Sequence, residues 1–184
     1  MPILHRSRRR GLTMIEMLMV MTVLTMAMAM LVRTLVSAAK LEPVLDEAET
    51  AAEGGRSQIE AMHNHPFGEV FARYNANAFD DPLLPGSAPG NTFDVPGLDP
   101  VAPGGKVGRV EFPTIDGQLR EDVEDETLTM PRDLNGDGVV DSVNHANDRI
   151  LLPVRVVVEW KPAGGGDGPA GRRKITFYTM FSEL

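Results

Sequence analysis

The sequence predicts an α+β protein: one long N-terminal helix packed on a small antiparallel β-sheet. Three observations carry this. A 21-residue apolar run, Leu12–Val32, is continued by apolar residues at helical spacing to about Met62. Two alternating segments, 150–161 and 172–181, read as the arms of a hairpin. Residues 64–105, which separate the helix from the strands, are dense in Pro, Gly, Asn and Asp.

Composition narrows the function. The 184 residues hold 18 Lys and Arg against 26 Asp and Glu, a net charge of −8, so a general nucleic-acid binder is not expected. Zero Cys excludes disulfides, thiolate catalysis and Cys-ligated metal. The charge is also segregated. Residues 1–11 carry Arg6, Arg8, Arg9 and Arg10 and no acid, and the remainder is strongly acidic. A basic flank, an apolar run and an acidic remainder place the N-terminus in the cytoplasm and the rest across the membrane.

As a helix the run 12–32 spans about 31 Å, one bilayer core. Its one charge is Glu16, and an ionised acid near the centre of such a helix costs about 2.5–3.5 kcal/mol. A cleaved secretory signal, with Val36-Ser37-Ala38 before Ala39 as its site, or a plain uncleaved anchor, leaves Glu16 without a role.

The residues around it, Arg8-Arg9-Arg10-Gly11-Leu12-Thr13-Met14-Ile15-Glu16-Met17-Leu18, form a pattern. A short basic leader, a Gly, then apolar-Thr-apolar-Ile-Glu opens a long apolar helix. This resembles the class III signal of type IV prepilins and type II secretion pseudopilins, with Leu12 where Phe is commonest and Met14 and Met17 for Leu. The resemblance covers about the first 35 residues. It implies a pilin-like fold and cleavage by prepilin peptidase between Gly11 and Leu12, with N-methylation of Leu12. It implies that Glu16 pairs with the N-terminal amine of a neighbouring pilin or pseudopilin subunit. It also implies a single-pass inner-membrane protein with an extracytoplasmic globular domain that enters a pilus or pseudopilus. Minor subunit is the expectation, with a major subunit or a non-polymerising membrane-anchored calcium-binding module as alternatives. No enzyme activity is expected.

The domain organisation follows: leader 1–11, transmembrane and assembly helix 12–33, distal helix 34–63, loop-rich variable segment 64–105, and β-sheet region 106–184. A kink is expected near Pro43, and Gly54-Gly55 weakens the distal helix. Phe67, Phe71, Tyr74 and Phe79 are expected to pin the start of the variable segment to the core. Strands are expected at 106–112, 126–130, 150–161 and 172–181. Val154, Val156, Val158 and Trp160 share one face of the third, and Ile175, Phe177, Thr179 and Phe181 one face of the fourth.

Residues 133–144, DLNGDGVVDSVN, match the spacing of an EF-hand-type calcium loop. Oxygen donors fall at Asp133, Asn135, Asp137 and Asp141, the Val139 carbonyl supplies another, and Gly138 allows the sharp turn. The run also resembles the calcium loop of dockerins. Three carboxylates so close repel one another unless a cation sits among them. The last position holds Asn144 rather than an acid, leaving Asn144, Asp148 or water as the final ligand. His63 and His65, two residues apart, do not face one way on a helix, and the acidic run Glu121–Glu126 reads as a solvated turn.

Overall fold

The computed structural model describes residues 13–163 and 171–183. The processing site expected at Gly11 and Leu12, the leader and most of the connector 162–171 lie outside the described residues. The chain divides into two units, Met1–Pro43 and Val44–Leu184, and one helix, α1 (Met14–His63), runs through both.

In the first unit α1 has no core to cover. Every large apolar side chain from Met14 to Val36 is exposed, between 50 % and 88 %. The hydroxyls of Thr22, Thr25 and Thr34 donate to the carbonyls of Met19, Met21 and Met30 at 2.8–3.0 Å. Each of these three hydroxyls is thereby satisfied within the helix. Residues 36–39, the alternative cleavage site, are helical interior.

The second unit is built around β6 (Leu151–Lys161). It follows the distal part of α1, a short helix α2 (Phe67–Tyr74), and the strands β1 (Thr92–Phe93), β2 (Asp99–Pro100), β3 (Gly108–Glu111), β4 (Thr114–Ile115) and β5 (Gln118–Leu119). β3 pairs with residues 155–158 of β6, β2 with 160–161, and β7 (Arg173–Ser182) along Leu151–Trp160, all antiparallel. The expected hairpin is therefore present, with Val154 opposite Thr179, Val156 opposite Phe177 and Val158 opposite Ile175. The face Val154, Val156, Val158 and Trp160 is buried, at most 2 % exposed.

Gly54 and Gly55 stay helical, and the reason is packing. A Cβ on Gly54 would lie 2.6 Å from Val95 Cγ2, and one on Gly55 2.3 Å from the Phe177 ring. The missing side chains let α1 approach the sheet and the loop before β2. Trp160 Nε1 donates to Glu47 at 3.1 Å, which fixes the same stretch of α1 against β6.

Three expectations are corrected. The loop-rich segment contains α2, whose Phe67, Phe71 and Tyr74 recur at helical spacing and join the core with Met62, Leu152 and Phe181. Phe79, expected to pin that segment, is 86 % exposed. The expected strand 126–130 is a 3-10 turn, Glu126–Leu128, capped by Asp125, whose side chain accepts from Thr127 N. That cap satisfies a backbone donor locally, where a strand would need a neighbour.

Candidate functional site

Two regions carry the residues singled out by sequence. The first is the start of α1. The Thr13 carbonyl accepts from the N–H of Glu16 at 3.1 Å and of Met17 at 3.2 Å, which closes the first turn. Glu16 lies in that turn and is exposed among apolar neighbours. A carboxylate there suits the positive end of the helix dipole and is open to a partner cation. Among the described residues, α1 is long and apolar enough to cross a membrane.

The second region is the loop 133–144. Both oxygens of Asp133 turn inward, one accepting from Gly136 N at 2.6 Å and the other from Gly138 N at 2.8 Å. Those bonds, Gly138 first, hold the Asp133 carboxyl below the usual carboxylate range. Gly136 and Gly138 have φ of +81° and +86°, a left-handed backbone that glycine adopts without strain. Asn135 Oδ1 accepts from Asp137 N at 3.0 Å, and Asp137 Oδ1 from Val139 N at 2.8 Å. The loop is thus held by a series of local side-chain-to-backbone turns, and among the described residues the cluster of potential ligand atoms is Glu121, Asp141 and His145, not Asp133, Asp137 and Asp141. A hard, oxygen-only donor set of three carboxylates, one amide and one carbonyl suits Ca²⁺.

The twelfth position is used otherwise. Asn144 Oδ1 accepts from Leu119 N at 3.2 Å and Ala146 N at 3.1 Å. Asp148 faces His145 Nδ1, at 3.2 and 3.3 Å.

The residue that ties the loop down is Glu121. It is fully buried, against the expectation of a solvated turn for the acidic run. Its Oε1 accepts from Leu134 N at 2.6 Å and Asn135 N at 3.2 Å, and its Oε2 from Asp141 N at 3.2 Å. Three backbone donors from both ends of the loop compensate the buried charge. The signal was present: Leu119, Glu121 and Val123 alternate with Arg120 and Asp122, so Glu121 shares the inward face. The strand register is set by β4–β5, a hairpin turning at Asp116-Gly117 with φ of 52° and 78°.

His145 is buried beneath the loop. Its Nε2 lies 3.0 Å from Asp141 Oδ1 and 3.7 Å from Glu121 Oε2. Burial pulls its pKa down, but the hydrogen bonds to Asp141 and Asp148 and the charge of Glu121 outweigh it and hold the value above normal. With a proton on each nitrogen the ring donates to Asp141 and Asp148. Glu121, Asp141 and His145 also bring three potential metal-ligating atoms within 4.8 Å of one another. His63, by contrast, stacks on Phe181 at 4.3 Å between ring centroids, and His65 on Tyr74 at 5.9 Å.

Arg149 is a second buried residue that sequence reading missed. Its guanidinium donates to the carbonyls of Ala146, Phe67 and Gly68 and lies 5.2 Å from the Phe67 ring centroid. It anchors α2 to the segment leading into β6.

Residues 6–32 match a family model described as the prokaryotic N-terminal methylation motif. No curated protein and no solved structure matches the chain significantly. The match spans Gly11, Leu12 and Glu16, so residues 6–32 carry a methylation motif of the type IV prepilin-like kind, followed by a helix long and apolar enough to cross a membrane.

Proposed function

We propose that the protein is a minor pilin or pseudopilin subunit of a type IV pilus or type II secretion pseudopilus. The observation that supports this best is the methylation motif standing at the head of a helix whose large apolar side chains from Met14 to Val36 are all exposed. In this reading prepilin peptidase cuts between Gly11 and Leu12 and methylates Leu12. Glu16 then meets the new amine of a neighbouring subunit. Two charges leaving water together break even only when well paired, so this contact selects register more than it adds stability. The globular unit faces away from the cytoplasm.

The test is intact mass and N-terminal sequencing of the protein from its native membrane. A chain beginning at methylated Leu12 is expected, and Glu16→Ala is expected to be processed normally yet absent from sheared fibres. A chain beginning at Ala39 refutes the reading.

We further propose that Asp133, Asn135, Asp137, Asp141 and the Val139 carbonyl hold Ca²⁺. The spacing of the oxygen donors supports it. The ion would supply charge neutralisation and cross-link the loop, a staple for a chain without Cys. Extracellular sites of this type bind at about 10⁻⁴–10⁻³ M. Free calcium at about ten times its Kd stabilises by about 1.4 kcal/mol. Thermal unfolding with added Ca²⁺ is expected to shift upward in the wild type and not in Asp137→Ala. The absence of a shift in the wild type at about 10 mM refutes the site.

A further inference from the structure

Asn135-Gly136 is the one Asn-Gly pair in the sequence. Such a pair carries its own reaction. The Gly nitrogen, unhindered by a side chain, attacks the Asn side-chain carbonyl carbon. A carbon–nitrogen bond forms, the side-chain amide is expelled as ammonia, and the nitrogen's proton leaves with it. The resulting succinimide is opened by water to aspartate or isoaspartate. No cofactor or oxidant is needed.

In this loop both reactants are occupied. The Gly136 N–H, the nucleophile, donates to Asp133 Oδ1 at 2.6 Å. The Asn135 amide is held from both ends: Oδ1 accepts from Asp137 N, and Nδ2 donates to Asp137 Oδ2 at 3.2 Å. A bond to a carboxylate makes the N–H harder to deprotonate, and the Asn135 side chain is turned toward Asp137. The loop itself is at the surface, with Gly136 exposed, so water is not lacking.

We infer that Asn135-Gly136 is a latent deamidation site latched shut by Asp133. Release of the Gly136 N–H opens it. The aspartate product sets one more carboxylate among Asp133, Asp137 and Asp141. The isoaspartate product adds a backbone methylene and disrupts the turns that the loop depends on. This inference stands whether or not the loop binds calcium and whether or not the chain assembles into a fibre.

The full-length protein in detergent micelles with chelator is incubated near neutral pH. Conversion at Asn135 is followed by peptide mass and by enzymatic isoaspartate detection. In the folded wild type, conversion is expected to be at least about tenfold slower than in the same protein held in urea, the factor that one hydrogen bond to a charged acceptor commands. Asp133→Ala is expected to move the folded rate most of the way to the urea rate, and Asp133→Asn, which keeps a neutral acceptor, part of the way. Circular dichroism reports whether each variant is folded. If Asp133→Ala does not fold, hydrogen exchange at the Gly136 amide decides: slow exchange in the wild type and faster exchange in Asp133→Asn are required. Equal conversion of folded and urea-held wild type overturns the inference. So does a folded Asp133→Ala that converts no faster than wild type.

Discussion

Replacing Gly54 with Ala sets two effects against each other. Helix propensity alone favours the change, because Ala exceeds Gly by about 1 kcal/mol in a helix interior. Packing opposes it. The new Cβ would lie 2.6 and 2.7 Å from the two methyls of Val95 and 3.2 Å from its Cβ. Val95 is 5 % exposed and β-branched, packed with Ala51, Leu98 and Trp160, so it cannot swing aside as a long side chain would. Overpacking of this kind costs about 1–3 kcal/mol. The net expectation is a loss of about 1 kcal/mol, a fall of about 3–4 °C in Tm for a unit of this size. The assay is calorimetric unfolding of the full chain in detergent, with Gly54→Ala made both in the wild type and in Val95→Ala. Removing the Val95 methyls removes the clash, so in that background Gly54→Ala should raise Tm. A rise in the wild-type background, or the same shift in both backgrounds, refutes the argument that the glycine serves close approach.

Glu121→Gln leaves one acceptor oxygen and sets an NH₂ group against backbone donors. With three N–H groups now sharing a neutral amide, a loss of about 2 kcal/mol is expected, with faster hydrogen exchange at Leu134, Asn135 and Asp141. Arg155 joins Glu111 on β3 and Asp125 at the 3-10 cap, at 2.6 and 2.8 Å. Burial pushes Glu111 up, but the hydrogen bonds and charges of Arg155 and Arg109 outweigh it and leave its pKa below normal. Asp125 is held low by the Thr127 hydroxyl and by Arg155. A depressed carboxylate stabilises above its unfolded pKa and loses that contribution as pH falls through the folded one. The Tm difference between wild type and Arg155→Met should therefore be present at neutral pH and shrink below about pH 4. A difference that does not change with pH would mean that Arg155 acts through packing of its stem alone.

Much of this was legible in the residues because the patterns were local. Periodicity exposed α1 and the β6–β7 hairpin, and the motif around Glu16 needed only its own spacing. What escaped reading depended on contacts distant in sequence. Glu121 looked like one acid among several because its donors, Leu134 to Asp141, lie more than ten residues away. Gly54 and Gly55 looked like defects because Val95 and Phe177 are far along the chain. α2 was hidden by the Asn and Pro around it, although Phe67, Phe71 and Tyr74 carry a helical spacing. Phe79 misled, since an aromatic beside core aromatics need not follow them inward.

The position of β6 in the sheet also sets an order of folding. Strands β2, β3 and β7 all pair with it, and β6 begins only at Leu151. A ribosome adding about 5–20 residues per second therefore delivers more than half of the globular unit before its organising strand exists. During those seconds Val110, Leu119 and Leu134 have no sheet to cover them, and Glu47 has no Trp160 to hold. The sheet is complete only once β6 and then β7, which brings Phe181 into the core, have been made.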